Sequence, residues 1–270
     1  MASFYAYDFI YDDTPSQKYD LQIITFEDGG VVSGVGSSNT NIITKSVMRK
    51  SKVYYLGRKQ EPVLEFPLTF GRKESISGME RDAISKWLFG RAEYKKLYIL
   101  QDDLDGAYFN CFLTNPTPLY IGNLNYAFQC TVSCDSPFAY SPEKTISGTY
   151  SDFTNLQYTE TVYNASSEED YIYPNINFVM GSSGSTISIK NVTDDNRTFT
   201  FGSDGYPLLQ DEEIDVNNDL QIIESSTGLR RMSHFNNNWF RLLPGPNQIV
   251  VSGSVASFEI TYNERLKIGG

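Results

Sequence analysis

The chain has one histidine and three cysteines among its 270 residues. A single His234 excludes multi-histidine metal sites and leaves no obvious acid-base partner for a nucleophile. Cys111, Cys130 and Cys134 cannot all pair and form no CxxC motif, so they read as small buried hydrophobes in a reducing compartment. There is no GxSxG elbow and no phosphate-cradling glycine loop. Two carboxylates would suffice for a glycosidase, but 33 Asp and Glu single out no pair. The expectation is therefore no catalytic residue, no metal and no cofactor.

Long apolar runs are missing as well. Nothing approaches the roughly eighteen consecutive apolar residues of a membrane span. MASFYAYDF lacks a basic segment followed by an apolar run, so the chain reads as soluble, without a secretory signal. Cations are scarce: the net charge of -11 argues against general nucleic-acid binding, which rests on neutralising phosphates with Lys and Arg.

Aromatic residues are plentiful, with 19 Tyr and 17 Phe, a tilt toward strand formers. Only Ser77 to Leu100 contains a convincing helix. Ser77 and Glu80 make a capping box, so the helix starts near Gly78. Ala83, Ile84, Trp87 and Leu88 form one apolar stripe, and Gly90 supplies a left-handed exit. One short amphipathic helix cannot hide that stripe alone and must lie on a sheet.

Strands are expected at Phe4 to Ile10, Tyr19 to Phe26, Val63 to Phe70, Lys96 to Leu100, Tyr108 to Leu113 and Leu124 to Cys134. Glu27 to Gly30 closes the second, and the Gly/Ser/Asn-rich Ser33 to Thr40 reads as a loop. Pro67 marks an edge strand or a bulge. Asp102 to Gly106 is a hairpin turn and not a calcium loop, because Gln101 and Phe112 would fill its first and last ligand positions.

After the prolines at 137 and 142, nine short strands follow with no second helix: Leu156 to Tyr163, Tyr171 to Met180, Thr186 to Asn191, Thr198 to Phe201, Glu213 to Val216, Leu220 to Glu224, Trp239 to Leu243, Gln248 to Val251 and Ser257 to Asn263. With turns at Gly181 to Ser185, Asp194 to Asn196 and Ser203 to Gly205, this is the pattern of an antiparallel sandwich. Spacing alone does not choose its topology. Two domains are expected, 1–137 and 138–270. Residues 1–140 hold 14 Lys/Arg against 16 Asp/Glu and residues 141–270 hold 8 against 17, a step that favours the division.

Two stretches stand out. Lys45 to Gln60, KSVMRKSKVYYLGRKQ, has six positive charges and no negative one. It is either a solvated hairpin arm or an arm that docks on an acidic surface, most simply a neighbouring copy of the same chain. His234, Asn236, Trp239 and Arg241 are the residue types with which galectins read sugar hydroxyls and stack on a sugar face. Here they crowd into a few positions, whereas the galectin arrangement puts its Trp on a later strand. The segment reads as turn and core strand or as a carbohydrate site.

The order of features resembles the distal tail proteins of long-tailed, non-contractile bacteriophages (the Dit family). The residues that carry it are FIYDDTPSQKYDLQIITFEDG (Phe9 to Gly29), YLGRKQEPVLEFPLTF (Tyr55 to Phe70), the helix MERDAISKWLF (Met79 to Phe89) leading into KKLYILQDDLDGAYFNCFL (Lys95 to Leu113), CDSPFAYSP (Cys134 to Pro142) and WFRLLPGPNQIVVSGSVASFEITYNER (Trp239 to Arg265). The resemblance implies an all-β protein with one α-helix: an N-terminal tail-tube-like β-sandwich and a C-terminal galectin-like β-sandwich.

It further implies a homo-hexameric ring that joins the tail tube protein to the tail-tip hub, a tail-associated lysin-like protein, and to baseplate or receptor-binding proteins. DNA would pass through the ring without specific binding, and no membrane is involved. The protein would sit at the virion tail tip after assembly in the host cytoplasm. Arg49, Lys50, Lys52, Tyr54, Tyr55 and Arg58 fall where the family has an extension gripping the adjacent subunit. The alternatives are a tail protein that binds host receptor or cell-wall carbohydrate through the C-terminal sandwich, and a wall-degrading hydrolase.

Overall fold

The computed structural model describes residues 8–24, 40–60, 64–183, 186–202 and 208–268. The Glu27 to Gly30 turn, the Ser33 to Thr40 loop up to its last residue, the Ser203 to Gly205 turn and parts of the first, second and third expected strands lie outside the described residues. The chain divides into two compact units, Met1–Ser141 with Leu266–Gly270, and Pro142–Arg265.

The first unit runs β1 (Phe9–Tyr11), β2 (Thr14–Pro15), β3 (Gln22–Ile23), β4 (Thr40–Ser46), β5 (Val53–Gln60), β6 (Glu65–Ile76), α1 (Gly78–Phe89), β7 (Lys95–Ile99), β8 (Tyr108–Ile121), β9 (Leu124–Cys134) and β10 (Ala139–Tyr140). Antiparallel hydrogen bonding runs in the order β2-β1-β7-β8-β9-β6-β3, with β10 on β8. Strands β4 and β5 form a separate two-stranded sheet.

Alternation decides which face is covered. Leu64, Phe66, Leu68 and Phe70 are buried together, and so are Phe128, Cys130, Val132 and Cys134. Among the described residues Pro67 pairs only with Thr131. The alternation of β9 breaks at its start, where Leu124 is exposed and Asn125 and Ala127 are buried, next to a register shift between Leu119 and Tyr120 of β8. The three cysteines are free and buried, and burial pushes the thiols of Cys130 and Cys134 up to about 12.

Helix α1 begins as expected. Ser77 Oγ accepts from the Glu80 N–H at 3.3 Å, and Glu80 Oε2 accepts from the Ser77 N–H at 2.9 Å. Its buried stripe is Ile84, Trp87 and Leu88; Ala83, expected within it, is exposed. Trp87 donates from Nε1 to Tyr11 O at 2.9 Å and stacks between Phe9 and Tyr19. Gly90 does not leave in the left-handed region, since its φ is -93°. Its glycine requirement is close approach: a Cβ there would sit 2.7 Å from Lys86 O. The expected strand from Tyr19 starts later, because Ser16–Tyr19 is a 3-10 turn ended by Asp20 at φ 53°.

The second unit runs β11 (Lys144–Thr149), β12 (Gln157–Asn164), β13 (Asn175–Met180), β14 (Ile187–Asn191), β15 (Arg197–Phe201), β16 (Glu213–Asn217), β17 (Ile222–Ser225), β18 (Gly245–Gly253) and β19 (Val255–Tyr262). It has a five-stranded sheet, β11-β19-β13-β16-β17, and a four-stranded one, β12-β18-β14-β15. Their inner faces share one core that includes Phe178, Phe199, Phe201, Ile189, Ile214, Val251 and Phe258.

Trp239 to Leu243, expected as a strand, is not one; only Leu242 makes a bridge, to Ile172. Side chains take several of its other backbone bonds. Arg197 donates to Trp239 O, Asn218 Oδ1 accepts from the Phe240 N–H, Asn191 donates to Arg241 O and Asn247 Oδ1 accepts from the Leu243 N–H. After β20 (Arg265–Leu266), Ile268 packs against the core of the first unit.

Candidate interaction surface

Among the described residues, the strands of the hairpin β4–β5 pair only with each other. Ser46 faces Val53, Lys45 faces Tyr54, Thr44 faces Tyr55 and Ile43 faces Gly57, which leaves Leu56 as the extra residue of a bulge. The turn is closed by the Lys50 N–H on Val47 O at 3.0 Å, with Arg49 at φ 69°. Gly57 takes φ 155° in open space.

Every residue from Ile42 to Leu56 is exposed. An isolated two-stranded hairpin is marginal in water, and this one leaves Ile42, Ile43, Val53, Tyr54, Tyr55 and Leu56 uncovered. Lys52 Nζ lies 5.9 Å from the Tyr54 ring centre. Among the described residues no carboxylate forms an ion pair with Lys45, Arg49, Lys50 or Lys52. Arg58 belongs to β5 opposite Ile42. Strand pairing thus brings five of the six candidate contact residues, Arg49, Lys50, Lys52, Tyr54 and Tyr55, onto one exposed, cationic and apolar arm, and Arg58 onto its second strand.

The four candidate sugar-reading residues are engaged elsewhere in the fold. His234 is buried, with Nδ1 3.1 Å from an Arg231 nitrogen. Asn236 is exposed, but its amide donates to Thr198 O and its oxygen accepts from the Thr200 N–H. Trp239 packs partly buried against the core, 4.6 Å from the Phe235 ring. Arg241 makes a two-point ion pair with Asp194 and stacks over Tyr171 at 3.8 Å.

Sequence reasoning missed a buried polar knot in the second unit. Glu212 accepts from Arg231 at 2.7 and 2.6 Å, from Ser225 Oγ at 2.6 Å and from the Leu209 N–H at 2.8 Å. Long sequence separations hide it, and no motif signals it.

The sequence matches the family model described as "Phage tail protein N-terminal domain" over residues 4–136 and the one described as "Phage tail C-terminal domain" over residues 138–262. The chain belongs to a family of phage tail proteins. No curated protein matches it in sequence. Its fold is similar to that of Dit (gp 19.1) of phage SPP1, described as a paradigm of the hub adsorption apparatus in phages that infect Gram-positive bacteria. That match has 13% identity and a TM-score of 0.67, and covers 96% of this chain and 98% of that one.

A chain of the phage P2 baseplate in its activated conformation with Ca is similar at 11% identity and a TM-score of 0.54, over 94% and 97% of the two chains. The same baseplate with Sr gives 12% identity and a TM-score of 0.54, over 94% and 97%. The reading as a phage tail protein and the all-β class with one helix are borne out, and the fold of this phage tail protein is similar to that of Dit over 96% of the chain.

Proposed function

We propose that this phage tail protein is a non-enzymatic ring subunit. Six copies join the tail tube to the tail-tip hub and baseplate and let DNA pass without reading it. Identical heterologous contacts that close on themselves make such a ring. The observation that carries the reading is the β4–β5 arm, which is apolar and uncovered and has six of the chain's 22 Lys/Arg and none of its 33 Asp/Glu between residues 45 and 60. A cationic arm on an acidic chain finds its complement on the next copy.

The test is a variant with Arg49→Glu, Lys50→Glu and Lys52→Glu. The expected outcome is loss of ring stability at physiological salt, measured by sedimentation or mass photometry and confirmed by electron microscopy. For the wild type, assembly should weaken as salt rises. Rings of the variant as stable as those of the wild type would remove the arm from the contact.

A further inference from the structure

The arm is not amphipathic in the manner of a hairpin laid on a surface. Residues opposite one another across a pair share a face, and neighbours along a strand do not. Ile42, Val53 and Tyr55 therefore share one face with Thr44 and Ser46, while Ile43 and Tyr54 share the other with Lys45. Exposure is 66%, 53% and 64% for the first three and 48% and 38% for the second pair.

The Leu56 bulge lies past Tyr55, so the register from Ser46–Val53 to Thr44–Tyr55 that sets this division is unbroken. A hairpin docked by one face would leave the second set in water. The apolar residues are distributed as in a strand pair covered on both sides.

We infer that both faces of the β4–β5 arm are covered by a second copy of this chain, so that the arm is clamped and not merely laid on its neighbour. The inference rests on the reading of the arm as the contact between copies. The second copy is the occupant because the arm is purely cationic and the rest of the chain carries all 33 Asp and Glu. The clamp also explains why aliphatic side chains accompany the charges. Cations steer the encounter, and the two apolar faces hold the complex once water is excluded.

Tyr54 and Tyr55 are adjacent in sequence and opposite in direction, so they separate the two arrangements. Tyr54→Ser and Tyr55→Ser in the full chain should each weaken assembly by about ten-fold in apparent Kd, read by sedimentation velocity over a concentration series. An effect at one tyrosine only would mean a one-sided arm and would overturn the clamp while leaving the ring contact intact. No effect at either, or a wild type that never assembles, would remove the arm from the contact and the clamp with it.

Thiol labelling gives a second readout that tolerates variants of altered affinity. The native Cys111, Cys130 and Cys134 are buried. Tyr54→Cys and Tyr55→Cys should both react with a maleimide at monomer concentrations and both be protected in the assembled state. Protection of one alone counts against the clamp.

Discussion

From Gly106 to Cys134 the β8–β9 hairpin carries no charged residue, whereas Lys45 to Gln60, most of the β4–β5 hairpin, carries six cations. Both are long antiparallel pairs of the same unit. The first lies between β7 and β6 and buries Phe109, Cys111, Leu113, Phe128, Cys130 and Val132. The second has no neighbouring strand among the described residues and buries nothing from Ile42 to Leu56. One hairpin is covered by its own chain; the other leaves its apolar surface uncovered. The largest effect that sharpens this contrast is Phe128→Ala, where a 2% exposed ring that also meets Phe89 leaves a cavity. A loss of about 3–5 kcal/mol in denaturant unfolding is expected. A loss below about 1 kcal/mol would mean that β9 is no better supported than the arm.

The same contrast holds for charge. Lys45, Arg49, Lys50 and Lys52 of the arm are exposed and have no ion pair among the described residues, while Arg231 and Glu212 in the second unit are closed on each other with side-chain exposures of 4% and 0%. Glu212→Ala leaves Arg231 buried without its carboxylate and should cost about 3 kcal/mol or more. Calorimetry or denaturant unfolding would read that loss.

Acid tests the same pair. Burial pushes the Glu212 carboxyl up, but the hydrogen bonds from Arg231, the Leu209 N–H and Ser225 outweigh it and hold the group below its usual range. The folded value is therefore the lower one. Its contribution is complete above the unfolded value of about 4.3 and is lost as pH falls through the folded value. Wild type should lose stability over that interval, and Glu212→Gln should lack this component. Equal acid sensitivity of the two would show that the carboxylate is not held in this way.

How far the sequence could be read follows from how local each cause is. The capping box at Ser77 and Glu80 and the alternation from Phe128 to Cys134 act within a few residues, and both were legible. So was the basic hairpin arm from Lys45 to Gln60, although its first strand, Thr40–Ser46, begins before that segment. The extension of β8 past Leu113 was not legible, because Pro116 and Pro118 conceal a strand that tolerates them beside register shifts. Trp239 to Leu243 has the composition of a strand, but Arg197, Asn191, Asn218 and Asn247 take its backbone bonds, and no local pattern announces partners so distant in sequence. The partners of two candidate sugar residues were hidden for the same reason: Asp194, which pairs with Arg241, and Thr198 of β15, which accepts from Asn236, lie far away in sequence.

The smallest effect tests the comparison most severely, because it predicts almost nothing. Leu56 is the extra residue of the bulge, with no residue opposite it in β4, and is 62% exposed. Replacing it with serine removes neither a cross-strand pair nor a buried contact. The unfolding free energy of the monomeric chain should therefore change by less than about 0.5 kcal/mol, as at other free surface positions. A loss comparable to that of Phe128→Ala in dilute, unassembled protein would mean that Leu56 is packed within its own chain. The two hairpins would then differ only in charge, and the arm would have no apolar surface left to offer a neighbour.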